Sequence, residues 1–155
     1  MAARAAEATV GRTFGVAFEE GDDFITELTG LCAREGIRQG YIPVFLGAFH
    51  HAKVVGTCQT YDPRAPMLSE HVDLDAVEAI GAGTLAWDEA NQTVTPHIHL
   101  SVGRRLHGAV GHTSHLFDAE VQFIIEMVIV EVASPEWSRP KDPALHDLSL
   151  LTFGQ

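Results

Sequence analysis

The chain has 155 residues, of which 46% are hydrophobic and 20% charged, and this size and composition indicate one globular domain rather than a disordered segment. A formal net charge of −11 argues against binding to a nucleic-acid backbone, which requires clustered cations. No apolar run approaches the length of about 18 residues that a membrane span needs, and the first residues lack the apolar segment of a secretory signal. The sequence therefore predicts a cytoplasmic protein without membrane contact.

The first part of the chain predicts a strand followed by the one long helix. Apolar residues alternate over residues 9–19, which is the period of a β-strand. An acidic turn follows, in which Asp22 or Asp23 suits the N-cap of a helix over residues 23–35. Gly36 is placed to end that helix in the left-handed conformation.

The next part of the chain predicts strands and a loop. Residues 41–55 are predicted to form strand, turn and strand, and Gly47 indicates a bulge or a close backbone approach. Residues 54–61 continue as strand. Residues 62–66 contain two prolines, each of which disfavours helix at the residue before it, so they are predicted to form a loop.

The second half of the chain predicts further strands. Periodicity alone allows residues 72–80 to be a short helix or a strand, whereas residues 81–87 and 92–102 are predicted strands. Residues 110–115 return beside them. The nearly continuous β-branched run over residues 119–132 predicts a central strand that is buried on both faces.

These elements predict an α+β fold, in which a largely antiparallel sheet is partly covered by one main helix. The tail is predicted to be extended, with a turn at residues 144–147 and a last short strand. Residues 9–153 form the single predicted domain, and residues 1–8 a flexible N-terminus. Because one helix covers only part of one sheet face, the remaining apolar face is predicted to be buried between the subunits of an oligomer.

The most specific pattern is the His-x-His of the strand at residues 92–102. Side chains at i and i+2 leave the same face of a strand about 6.5–7 Å apart, so His97 and His99 can bind one ion. His112 follows a hairpin and is the predicted third ligand. Three imidazoles with one open position are typical of a catalytic or ligand-binding zinc rather than a closed structural one.

A zinc enzyme would also need a proton acceptor. Glu78 is the first candidate, Glu126 the second, and His115 a third if a turn brings it near His112. The alternative for Glu78 is a carboxylate that holds a backbone N–H or an arginine. The sequence contains no Ser-His-Asp order, phosphate loop or dinucleotide fingerprint to support other chemistry.

Other polar and sulfur residues have simpler predicted roles. His50 and His51 should point to opposite faces of a strand, so they cannot both join one site. Cys32 and Cys58 are predicted to be small buried hydrophobic residues. The adjacent Arg104 and Arg105 are predicted to form a solvated hairpin tip, with a local nucleic-acid patch as the alternative.

Several segments resemble the plants-and-prokaryotes-conserved (PPC) domain family. The resemblance spans about residues 12–153, and its most specific part is the His-x-His pair followed by Gly-His. The segments are the strand, Gly-Asp-Asp turn and helix at the start, then 36–42, 77–84, 97–101, 111–112, 120–121 and 137–148.

The resemblance implies a seven-stranded antiparallel sheet, a homotrimer, and a zinc ion held by His97, His99 and His112. In plants this domain follows an AT-hook peptide, and bacterial members are described as DNA-binding by analogy. This sequence contains no Arg-Gly-Arg-Pro hook. It also has Val110-Gly111-His112-Thr113 where the family often has Gly-Gly-His-Leu, and Val77 where an aromatic residue usually precedes the Glu.

The predicted function is a small homotrimeric zinc-binding protein that serves as a ligand-binding or regulatory module, with a small-molecule ligand at the subunit interface. The alternative is a zinc-dependent enzyme that uses a metal-bound water. DNA binding by family analogy is a third and weaker prediction, which the net charge opposes.

Overall fold

The structure, a computed structural model, describes residues 4–56, 70–145 and 147–154. The elements are, in chain order, β1 (Thr9–Glu19), α1 (Phe24–Glu35), β2 (Gly40–Val55), β3 (His71–Asp88), β4 (Thr93–Arg104), a 3-10 turn (Arg105–His107), β5 (Val110–Ser134), β6 (Trp137–Ser138), β7 (Lys141–Asp142), a second 3-10 turn (Pro143–Leu145), β8 (Leu148–Ser149) and β9 (Thr152–Phe153). Cys58, the predicted loop at residues 62–66 and residue 146 of the predicted last turn lie outside the described residues.

The main sheet has seven strands and closes on itself. β2 pairs with β3 and β5, and β4 pairs with the same two strands, so these four form a barrel-like ring. All pairings in this sheet are antiparallel except the short one between β3 and β6, and β7 and β8 form a separate two-stranded sheet. The predicted antiparallel sheet with one main helix is confirmed. Ring closure and the two additional strands are differences from the prediction.

Two predicted breaks in the strands are absent from the described residues. The predicted turn within residues 41–55 is instead a bulge in one continuous strand, β2, where Gly47 adopts φ +146°. A Cβ atom on Gly47 would lie 2.2 Å from the carbonyl oxygen of Ile124, so the close backbone approach predicted here is confirmed. Residues 72–80 are strand, not helix, and are continuous with the next predicted strand as β3.

β5 is the longest strand and joins two predicted strands into one. Along one edge it pairs first with β4 and later with β1, and along the other edge it pairs with β2. The gap between β4 and β1 is closed by the turn before the helix, because Val121 N–H donates to the Asp22 carbonyl and Gly21 N–H donates to the Val121 carbonyl, each at 2.9 Å. One 25-residue strand therefore links the hairpin with β4 to the rest of the sheet.

The helix forms as predicted and packs against the inner face of the ring. The Asp23 side chain accepts from the Thr26 backbone N–H at 2.8 Å, and Gly36 ends the helix at φ +67°. Phe24, Leu28 and Cys32 face the core and are fully buried. Burial raises the pKa of the Cys32 thiol to about 11, in agreement with its predicted role as a buried hydrophobic residue. No helix among the described residues is both long and apolar enough to be a membrane span.

The outer face of the sheet is only partly covered. At one end, the tail places Trp137 over Ala86 and Val132, with Tyr41 and Phe153 beside them. Further along the same face, large apolar side chains lie open to solvent: Leu46 is 48%, Ile80 56% and Ile124 46% exposed. This uncovered apolar surface, hereafter the outer apolar face, is the feature from which an oligomer is predicted.

Candidate metal centre

Three histidines meet on the outer face of the sheet where β4 pairs with β5. His97 and His99 leave the same face of β4, and His115 lies directly opposite His99 in the ladder, so all three rings share that face. One ring nitrogen of each histidine lies within 4.8 Å of the others, and the Nε2 atoms of His97 and His99 are 3.2 Å apart. These three residues are called the histidine cluster below.

His112, the predicted third ligand, is not part of the cluster. It pairs with Val102, whose side chain is buried on the inner face of the sheet. His112 therefore lies on the face opposite the cluster, since directly paired residues project to the same side. The predicted same-face pair of His97 and His99 is observed, but the structure supplies His115 as its neighbour in place of His112.

The length of the hairpin connection explains the difference. Arg104 pairs with Val110, so five residues connect the strands, and Gly108 and Ala109 take positive φ values of 63° and 56°. That register brings His115 opposite His99, and a shift of one residue would have reversed every side chain. Gly108 is the sequence feature that could have indicated this register, because glycine readily adopts the left-handed conformation of the turn.

Burial and neighbouring charges lower the pKa of two histidines of the cluster, His97 and His115. Burial, followed by the charges of Arg139, His115 and His99, lowers the pKa of His97 to about 4. Burial also lowers the pKa of His115, and the nearby His99 and Arg139 act in the same direction. At neutral pH both rings are therefore unprotonated, which is the form that binds a metal ion.

Arg139 touches the cluster and was not identified from the sequence. It follows β6, which is anchored beside β3, and its guanidinium crosses the outer face to His97 and Thr84. Its Nη1 atom donates to His97 Nδ1 at 3.1 Å and its Nη2 atom donates to the Thr84 hydroxyl. Arg139 lies 42 positions after His97 in the sequence, so no local spacing could have linked them.

The predicted proton acceptors lie elsewhere on the sheet. Glu78 accepts a hydrogen bond from Arg105 Nε at 2.9 Å. It therefore holds an arginine, which is the alternative role predicted for it. Along β3, Glu78 is four residues, or about 13 Å, away from Ala82, which pairs with His99. Glu126 is exposed on the outer apolar face, opposite Leu46. Within the described residues, no carboxylate pairs with a histidine of the cluster.

His50, His51 and the hairpin residue Arg105 have other partners. His50 pairs with Glu20 at 2.6 Å, and His51 lies 3.2 Å from carboxylate oxygens of both Asp73 and Asp75. Neither joins the cluster. Arg105 is not a free hairpin tip, because it holds Glu78 and also donates to the Gln122 side chain at 2.8 Å.

Comparison with known proteins identifies the family. Residues 5–133 match the model of the Plants and Prokaryotes Conserved (PCC) domain. A PPC protein of Pyrococcus horikoshii is 19% identical with a TM-score of 0.79, over 99% of each chain. The metal-containing protein AF0104 of Archaeoglobus fulgidus is 21% identical with a TM-score of 0.76, over 97% of this chain and 99% of that one. A "putative DNA-binding protein" of Ralstonia eutropha is 22% identical with a TM-score of 0.72, over 90% of each chain.

No curated protein matches the chain. The low identities to the solved structures make these likenesses a statement about the fold alone. The family model, in contrast, spans most of the sequence, including β1 to β4 and nearly all of β5. The chain therefore belongs to the PCC domain family.

Proposed function

We propose that this protein is a zinc-binding module in which His97, His99 and His115 hold the ion and leave one coordination position open for a ligand. The convergence of the three rings carries this proposal. Two nitrogens bound at about 2.0–2.1 Å to a tetrahedral zinc lie about 3.3 Å apart. The His97 and His99 Nε2 atoms, at 3.2 Å, already have this spacing.

The donor set also favours a transition metal over calcium or magnesium. All three donors are imidazole nitrogens, which suit zinc, copper, iron or nickel, whereas calcium and magnesium prefer oxygen. Zinc is chosen among these because three imidazoles and an open position are its usual ligand-binding arrangement. AF0104, which has the same fold, is described as metal-containing.

We also propose that the protein assembles as a homotrimer through the outer apolar face. Leu46, Ile80 and Ile124 are about half exposed there, beside the histidine cluster. Isolated exposed residues need no explanation, but neighbouring ones on a single sheet face indicate an interface. Light scattering coupled to size-exclusion chromatography should give the mass of three chains, and Ile80→Glu should reduce it. A monomeric wild-type protein would contradict this assembly.

A zinc enzyme is the second candidate, favoured by the small number of protein ligands. Within the described residues only three donors converge, and His99 is exposed to solvent, so the open position is accessible. A zinc ion with such a position lowers the pKa of a bound water and polarises carbonyl groups. Neither Glu78 nor Glu126 lies beside the cluster to act as proton acceptor in the isolated chain. Because neither carboxylate can act as the proton acceptor there, we favour a binding or regulatory role over catalysis.

DNA binding is the weakest candidate. The net charge of −11 opposes contact with phosphates, and Arg105 is already paired with Glu78. What favours it is the description of similar structures, the Ralstonia eutropha protein among them, as putative DNA-binding proteins. An electrophoretic shift with an AT-rich duplex at low salt should show no complex. A complex whose affinity falls steeply with salt would instead support DNA binding as a function of this protein.

Metal analysis of untagged protein tests the proposed function. After exposure to zinc and removal of free ion, the wild type should retain about one zinc per chain, since the described residues contain one such cluster. His99→Ala should lose it, whereas His107→Ala should keep it, because His107 lies exposed in the 3-10 turn of the hairpin. Retention of full zinc by His99→Ala would contradict the proposal.

A further inference from the structure

Arg139 is a half-buried cation without a counter-ion among the described residues. Among those residues its guanidinium contacts His97 and Thr84, and neither of them is a carboxylate. Its Nε atom is buried and has no hydrogen-bond partner in the described part of the chain. A buried charge normally requires an opposite charge or a full set of hydrogen bonds. The described residues therefore leave the Nε–H donor of the Arg139 guanidinium without an acceptor and its charge without a partner.

The contact between Arg139 and His97 is incompatible with a metal-loaded cluster. Arginine has no acceptor atom, so the 3.1 Å contact requires His97 Nδ1 to be an unprotonated acceptor. A neutral imidazole that binds a metal through Nε2 carries its proton on Nδ1 and donates it to an acceptor. His97 directs Nε2 toward His99 and Nδ1 toward Arg139. In the loaded cluster the N–H of Nδ1 would therefore face an N–H of Arg139, and two donors cannot form a hydrogen bond. When the cluster is loaded, the guanidinium must find another acceptor.

The charge of the loaded site identifies that acceptor. Three neutral imidazoles supply no negative charge, so a divalent ion and Arg139 together would place three positive charges on one patch of the sheet. Among the described residues no carboxylate pairs with the cluster to balance them. Buried or half-buried charge of this size requires an anion from outside the chain.

The surface around the cluster has room for a small organic anion. Thr84 and His97 form one row across the outer face, and Ala82, His99 and His115 form the next. Beyond them an open groove continues past Ser101 and Thr113, whose hydroxyls are 2.8 Å apart. Arg139 thus lies at one side of the cluster and a groove with two hydroxyls at the other.

We propose, on the basis of the metal centre proposed above, that Arg139 binds the carboxylate of a small organic ligand that occupies the open position of the histidine cluster. The planar fork of the guanidinium matches a carboxylate with two parallel N–H donors. The ligand's remaining atoms extend along the groove toward Ser101 and Thr113. The ligand class is therefore a small carboxylic acid, and Arg139 sets its orientation.

Cobalt-substituted protein provides the test, because the visible spectrum of cobalt reports a change at the open position. Acetate is the probe, and inorganic phosphate is the competing anion. The variants are Arg139→Met, Arg139→Lys and the control Arg105→Met, whose arginine is held by Glu78. Cobalt affinity is measured first for each protein by competition with a chelator, so metal binding and anion binding are read separately.

We expect the wild type to bind acetate, and Arg139→Met to weaken acetate about 10- to 100-fold, as the loss of a charge-assisted hydrogen bond predicts. Arg139→Lys should weaken it less, and Arg105→Met should leave it unchanged. Arg139→Met should bind cobalt at least as tightly as the wild type, because a nearby cation has been removed. A purely structural role for Arg139 would weaken cobalt and acetate together.

Several results would overturn the proposal. Wild-type protein that binds no cobalt would remove the metal centre itself and this ligand with it. Cobalt-loaded protein whose acetate affinity is the same in the wild type, Arg139→Met and Arg139→Lys would refute the role of Arg139 alone. Phosphate bound more than tenfold more tightly than acetate would refute the carboxylate assignment. If Arg139→Met fails to fold, unchanged acetate affinity in Arg139→Lys gives the same refutation.

Discussion

Replacing His115 by Ala, and separately His112 by Ala, tests which histidine completes the metal centre. The two residues are three apart in β5, are both half-buried, and project to opposite faces of the sheet. His115 faces His99 in the ladder, whereas His112 faces the buried Val102. The two variants are therefore matched in chemistry and in location, and they differ in whether the lost ring can reach the ion.

The size of the effect follows from the number of ligands. Structural zinc sites with four protein ligands have apparent binding free energies of about 10–16 kcal/mol, or about 2.5–4 kcal/mol for each ligand. Loss of one of three imidazoles should therefore raise the zinc Kd about 10²- to 10³-fold in His115→Ala. The same change at His112 removes no ligand, so the Kd should change less than about threefold.

Competition between the protein and a chromophoric chelator for zinc at pH 7.5 measures both constants. Circular dichroism before the titration establishes that each variant is folded. The assignment of His115 as the third ligand is refuted if His112→Ala loses zinc to the same extent as His115→Ala, or to a greater extent. It is also refuted if His115→Ala binds zinc as tightly as the wild type does.

Three further predictions concern the fold and its response to pH. Leu28→Ala should lower the free energy of unfolding in urea by about 3 kcal/mol, because the side chain is fully buried, while Leu106→Ala, 87% exposed, should change it by less than about 0.5 kcal/mol. Gly47→Ala should cost at least about 2 kcal/mol in the same assay, because the added Cβ would lie 2.2 Å from a carbonyl oxygen; stability equal to the wild type would show that the bulge is misplaced. The metal-free protein should lose stability as pH falls from about 6.5 to about 4, because the unfolded chain takes up a proton that His97, with its pKa lowered to about 4, does not. After allowance for solvent screening at a half-exposed ring this amounts to about 1–2 kcal/mol, and His97→Gln should show a shallower slope.

Local patterns were sufficient to predict the elements with strong periodicity. The alternation in β1 predicts that strand, and the turn and Gly36 predict the caps of α1, because each depends on side chains within a few residues; of the two N-cap candidates, Asp22 and Asp23, the structure uses Asp23. Strand continuity was harder to predict. The sequence predicts a turn within residues 41–55, but the bulge at Gly47 lets one strand bend through that point and continue.

Ring closure could not be predicted, because it depends on pairings between distant segments. β4 meets both β3 and β5 only after the hairpin register and the course of β5 are fixed. The same hairpin register determines which histidine of β5 lies beside His97 and His99. The sequence correctly placed His97 and His99 on one face, but the choice between His112 and His115 required the exact length of the hairpin connection. Arg139 lies in the tail and reaches the cluster only through tertiary packing.

Anomalous scattering at the zinc absorption edge, from crystals of zinc-loaded protein, tests the assignment of His97, His99 and His115 as the metal ligands. This assignment predicts one strong peak per chain, about 2.0–2.1 Å from a ring nitrogen of each of the three histidines. A peak beside His112, or zinc-loaded crystals without a peak at the cluster, would contradict it.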